Sequence, residues 1–109
     1  MPWRYQPVYL DEDGDRSYYL CEVYFDAANN FERWGEIGAS AGGEDIPELT
    51  DNLTQMIVDS YAWKPVRFSD LRPGMRFEPR INMKDREDLA DYIGELKDAV
   101  GRAPGPKTN

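Results

Sequence analysis

The chain has no histidine and a single cysteine, Cys21, among its 109 residues. Without imidazole there is no His-containing zinc site, and no serine or cysteine nucleophile with the usual general base. One thiol rules out an internal disulfide and suits a reducing compartment. Long apolar runs are missing as well. No stretch approaches the ~20 residues needed to cross a bilayer, and the opening Met1-Pro2-Trp3-Arg4 lacks the apolar core of a signal peptide. The expectation is a cytoplasmic protein without membrane contact. Basic residues are few: 13 Lys and Arg face 21 Asp and Glu, for a net charge of −8. Such a balance opposes direct binding to nucleic acid, where neutralising phosphates drives affinity.

What is present argues for a folded unit. Apolar residues make up 40% of the chain and aromatics 13%, with 3 Trp, 7 Tyr and 4 Phe, above the composition that keeps chains disordered. The length fits one domain. We expect it to span residues 1–101, with residues 102–109, which carry two prolines and a glycine, as a disordered tail. Charge is unevenly spread. Residues 1–63 hold 13 acids and 3 bases, whereas residues 64–82 hold 5 bases and 2 acids. The molecule is therefore dipolar, a property that steers charged partners and also serves solubility.

Pattern along the chain predicts an α+β fold in the order β-β-β-α-β-α. Trp3, Tyr5 and Tyr9 alternate with Val8 and Leu10, a strand that Pro7 should confine to an edge because proline has no ladder donor. After the turn residues Asp11 to Asp15, Arg16 to Asp26 reads as the strongest strand. Tyr19, Cys21, Val23 and Phe25 form its better core face, and Tyr18, Leu20, Glu22 and Tyr24 the other. Ala27-Ala28-Asn29-Asn30 suits a hairpin, since Asn tolerates the left-handed conformation. Phe31 to Ile37 completes an antiparallel meander. A glycine-rich loop then leads to a helix capped by Asp45, with Pro47 in its first turn. Leu49, Leu53, Met56, Ile57 and Tyr61 build its apolar stripe, and Trp63-Lys64-Pro65 ends it. One or two short strands follow between Val66 and Ile81, then a helix from Met83 to Val100, with both helices packed on the sheet. This order resembles that of small HicB-type antitoxins over about the first two-thirds of the chain, without a shared motif. The resemblance implies a toxin as partner.

Few constellations suggest chemistry. Asp11, Asp13, Asp15 and Glu22 occupy the first, third, fifth and twelfth places of an EF-hand-like loop, but Arg16 stands where that loop requires glycine and strands flank it. These four are weak metal candidates, best read as a solvated acidic turn. Cys21 lies mid-strand as a small core residue, and Gly35-Glu36-Ile37-Gly38 lacks the rest of a nucleotide-binding fingerprint. No catalytic residue and no cofactor are expected. The basic strip Lys64, Arg67, Arg72, Arg76 and Arg80, interleaved with Val66, Phe68, Met75 and Phe77, suits an alternating strand whose arginines meet acids of the same chain or of a partner.

Surface aromatics remain. Tyr18, Leu20 and Tyr24 stand on the strand face opposite the proposed core, with Trp3, Tyr5 and Tyr9 expected beside them, a composition typical of interface hot spots unless a helix covers it. The expectation is a non-catalytic interaction domain that binds another protein or a second copy of itself. The alternatives are an inhibitor, antitoxin or nucleic-acid mimic presenting carboxylates to a basic partner, and a small enzyme using carboxylate and tyrosine acid–base chemistry.

Overall fold

In a computed structural model that describes residues 2–81 and 83–102, the chain forms the expected α+β order. β1 (Trp3–Glu12), β2 (Asp15–Phe25) and β3 (Phe31–Ile37) make the meander, followed by α1 (Ile46–Ala62), the two-residue β4 (Val66–Arg67) and α2 (Met83–Arg102). The tail expected from residue 102 onward lies outside the described residues except for Arg102, which ends α2. Among the described residues no helix is long and apolar enough to cross a membrane.

Local chemistry explains the turns. Asp13 and Gly14 both take positive φ, 50° and 83°, which gives the two-residue hairpin between β1 and β2 the twist its strands need. Between β2 and β3, Asn29 adopts φ 65°, while the Asp26 carboxylate accepts the N–H groups of Ala28 and Asn30, each at 2.9 Å. Asp45 caps α1 by accepting the Glu48 N–H at 2.9 Å, with Pro47 in the first turn.

The strand order is β3-β2-β1-β4, so β1 is not the edge strand that Pro7 suggested. The reason is visible in the ladder. β4 pairs with β1 in parallel only at Val8 and Tyr9, just beyond the proline. The Pro7 carbonyl accepts the Gln6 side-chain amide at 3.0 Å. Since N–H and C=O of an extended residue point to the same margin, the donor missing from Pro7 falls on the margin away from β2, where among the described residues no strand pairs with β1 before Val8.

The core lies on one sheet face. Val8, Cys21, Val23 and Phe31 are buried there together with Leu71, and Phe25, Trp34, Ile37, Val66, Phe68, Met75 and Phe77 pack around them. This side is covered by the segment after α1, which includes a single 3-10 turn at Phe68–Asp70, and not by α1 or α2. The anticipated core face of β2 is therefore present from Cys21 to Phe25, whereas Tyr19 is exposed. α1 lies against β1 on the opposite side, and α2 packs on α1.

Burial pushes the Cys21 thiol up to about 11 from an ordinary 9.0. The folded state thus favours the neutral thiol, and its contribution to stability is complete below pH 9 and lost as pH rises towards 11. A thiol reagent at pH 8 should leave the native protein unmodified and label Cys21 only when denaturant opens the sheet. Rapid labelling without denaturant would contradict this burial.

Candidate interaction surface

The register of β1 and β2 pairs Trp3 with Tyr24, Tyr5 with Glu22, Pro7 with Leu20 and Tyr9 with Tyr18. Directly opposed residues share a face, so all six aromatic and leucine candidates lie on the side away from the core. α1 divides them. Asn52 donates to the Tyr5 hydroxyl at 2.5 Å, and the Tyr5 N–H donates to the Asp59 carboxylate at 3.0 Å. Tyr5 is 2% exposed and cannot be a surface contact, which corrects its place among the interaction residues.

The two ends of this face differ. Towards one end, Trp3 stands edge-on to Tyr5 at 5.2 Å and stays exposed. Half-buried Tyr24 donates its hydroxyl to Glu22 at 2.6 Å, a bond that holds the phenol above its ordinary range, and Arg33 covers its ring at 4.6 Å. Towards the other, Tyr9 is flanked by the guanidinium groups of Arg16 at 4.0 Å and Arg67 at 5.3 Å, with Tyr18 beside it. Tyr18 is 60% exposed. With Pro7, Tyr19 and Leu20 it lines a shallow groove that reaches Ser60, at the C-terminal end of α1, and Arg80.

The more telling surface is one the sequence pattern had assigned inward. At about 3.6 residues per turn, Asn52, Gln55, Asp59 and Ala62 share one side of α1, and that side meets β1. Asn52 accepts the Gly42 N–H while donating to Tyr5, Asp59 and Ala62 are buried, and the Ala62 carbonyl accepts the Arg80 N–H at 2.7 Å. The opposite side carries Ile46, Leu53, Ile57 and Tyr61, which are 72%, 44%, 53% and 46% exposed even with α2 in place. Leu49 and Met56, on the flank of that side, are half-buried. The apolar stripe therefore faces out, a correction with a clear cause. The uncovered stretch of β1 offers a backbone N–H and a tyrosine hydroxyl, and unsatisfied polar groups cost more to bury than a polar helix row that satisfies them.

The outward side carries no charged residue: Ile46, Thr50, Leu53, Thr54, Ile57, Ser60 and Tyr61. Its three aliphatic hydroxyls donate back to carbonyls of their own helix, Thr50 to Ile46 at 2.9 Å, Thr54 to Thr50 at 2.7 Å and Ser60 to Ile57 at 2.7 Å. The face thus has few donors left for water and behaves as an apolar strip. Ile46 and the continuity of this strip were not legible beforehand. The signal that could have exposed them is Asp59, which shares its helical side with Asn52 and Gln55.

The remaining candidates fall apart in space. Asp11 forms ion pairs with Arg16 and Arg67, both at 2.8 Å, and the Arg16 guanidinium holds its carboxyl below the usual range. Glu22 stands seven residues along β2 from Asp15, about 23 Å at strand rise, and faces Tyr24. Among the described residues no three His, Cys, Asp or Glu side chains form a group able to hold a metal ion. The basic strip is partly matched by acids of the same chain: Arg67 with Asp11 and Lys64 with Glu78 at 3.1 Å. A cavity of about 600 Å³ beside it is lined by Phe25, Phe31, Trp63 and Phe77, with the Arg4 guanidinium lying over Trp63 at 3.8 Å.

No family model, curated protein or solved structure matches the chain. Geometry alone carries the functional reading.

Proposed function

We propose that this protein is a non-catalytic interaction domain whose docking surface is the outward side of α1, extended at its C-terminal end by the groove at Tyr18 and Leu20. The observation that carries the reading is the inverted helix: a polar row turned to the sheet, and an uncharged apolar row, Ile46, Leu53, Ile57 and Tyr61, turned to solvent. Contiguous apolar strips of this kind are the usual mark of protein contact, and an amphipathic helix presenting such a row is a recurrent recognition element. Asp59 supports the non-catalytic part. A buried carboxylate is what acid–base catalysis uses, yet this one is engaged by the Tyr5 N–H.

The mimic reading has less support. Asp11 is engaged by arginines, Glu22 by Tyr24, and Asp26 and Asp45 by backbone N–H groups. These carboxylates serve the fold before any partner. The docking reading is tested by placing a photo-reactive benzoyl-phenylalanine at position 57, and separately at Glu32 on β3, in cells that produce the protein. A protein adduct is expected from position 57 and none from position 32. No protein adduct at 57, or equal adducts from both, would refute the docking surface.

A further inference from the structure

The strip on α1 has an internal symmetry that points to its occupant. Ile46 and Tyr61, Thr50 and Ile57, and Leu53 and Thr54 are pairwise equidistant from the middle of the row. If two copies of α1 cross antiparallel about a two-fold axis at that midpoint, Tyr61 comes over Ile46 and Ile57 over Thr50, each larger side chain against a smaller one, while Leu53 meets its own copy beside the axis. Isologous contacts require this self-complementarity.

Charge agrees with the same arrangement. Two molecules of net charge −8 repel, and the outward side of α1 is free of charged side chains. Its ends are of opposite character. Glu44, Asp45 and Glu48 are exposed at the N-terminal end, while Arg80, also exposed, stacks on Tyr61 at 4.4 Å at the C-terminal end. An antiparallel pair brings each Arg80 to the acidic end of the other copy, twice by symmetry, and opposes the helix dipoles favourably. A parallel pair would set like ends together.

We infer that the occupant of the α1 strip is a second copy of this chain, in an antiparallel two-fold dimer centred between Leu53 and Thr54. The assignment rests on the docking reading of α1 above. A 17-residue helix is about 25 Å long, so a single helix pair gives an interface at the small end of the range, with dissociation on the order of micromolar. The dimer therefore forms and dissociates with concentration.

Sedimentation equilibrium over a concentration series tests it. The mass is expected to rise from 12.6 kDa to twice that value. Leu53→Glu should raise the dissociation constant at least about tenfold with unchanged circular dichroism, and Arg80→Glu should weaken the dimer as well. Register is read by disulfide trapping, with the native Cys21 buried and silent. Leu53→Cys should cross-link to its own copy on oxidation. Ile46→Cys should not, because two copies of residue 46 lie about 22 Å apart along antiparallel helices. A protein monomeric at every concentration, a dimer indifferent to Leu53→Glu, or cross-linking of Ile46→Cys as readily as Leu53→Cys would each overturn the inference. A monomer whose position 57 still captures a different protein overturns the second copy and leaves the docking reading standing. A monomer that captures nothing overturns both.

Discussion

Asp59→Ala is expected to destabilise the fold by about 3 kcal/mol, the combined loss of a hydrogen bond to a carboxylate and the burial of an unpaired N–H. Asp59 is 3% exposed and accepts the N–H of Tyr5, a residue 54 positions away in the chain. The bond ties α1 to the margin of β1 that faces away from β2, ahead of the point where β4 begins to pair. Alanine leaves the Tyr5 N–H buried without an acceptor and removes the anchor that sets which side of α1 turns inward. At about 4–8 °C per kcal/mol for a domain of this size, the thermal midpoint should fall by roughly 12–24 °C. Asp59→Asn keeps an acceptor oxygen and should lose less than half as much. Urea denaturation of the two variants measures the difference, and an Asp59→Ala loss below about 0.5 kcal/mol, the usual scale of a neutral surface change, would show that the Tyr5 N–H is satisfied some other way.

The second large effect is expected at Phe31, which is 3% exposed. Its ring contacts those of Phe77 at 4.9 Å, Trp34 at 5.6 Å and Phe25 at 6.1 Å, and its carbonyl accepts the Gly74 N–H at 2.8 Å. Here β3 and the segment after α1 meet. Phe31→Ala should cost about 3–5 kcal/mol through lost burial and the cavity left behind. Against a total stability on the order of 5–15 kcal/mol, that is enough to bring a marginal domain near its unfolding midpoint. Leu53→Ala removes an apolar side chain from α1 at a site open to water and should change monomer stability by less than about 0.5 kcal/mol. Calorimetry on both variants at low concentration checks the contrast. Equal losses would mean that Leu53 is buried in the monomer.

Much of the fold was legible because it depends on neighbours in the chain. Alternation marked the three long strands, Asp13-Gly14 and Asn29 supplied the positive-φ positions of their turns, and Asp45 with Pro47 marked the start of α1. The residues after Val66 were harder to read. Their apolar members, Phe68, Leu71, Met75 and Phe77, are held mainly by contacts to a sheet face built from distant residues, and β4 has only two. The site was half legible. Trp3, Tyr18 and Leu20 stand on the face away from the core, but Tyr5 is buried under α1, and the apolar stripe of α1, whose spacing predicts an inward face, points outward.

Chain pattern by itself determined the elements, their order, their turns and caps, and the existence of an apolar and a polar side on α1. It did not determine which side turns in. That was decided by what the sheet presents at the landing place. β4 reaches only Val8 and Tyr9, Pro7 has no N–H, and the Tyr5 N–H and hydroxyl are left without a strand beside them. Asn52 and Asp59 satisfy those groups, each of which would cost about 1–3 kcal/mol if left unpaired in the interior. The inward polar row is a consequence of long-range pairing, and the outward apolar strip follows from it.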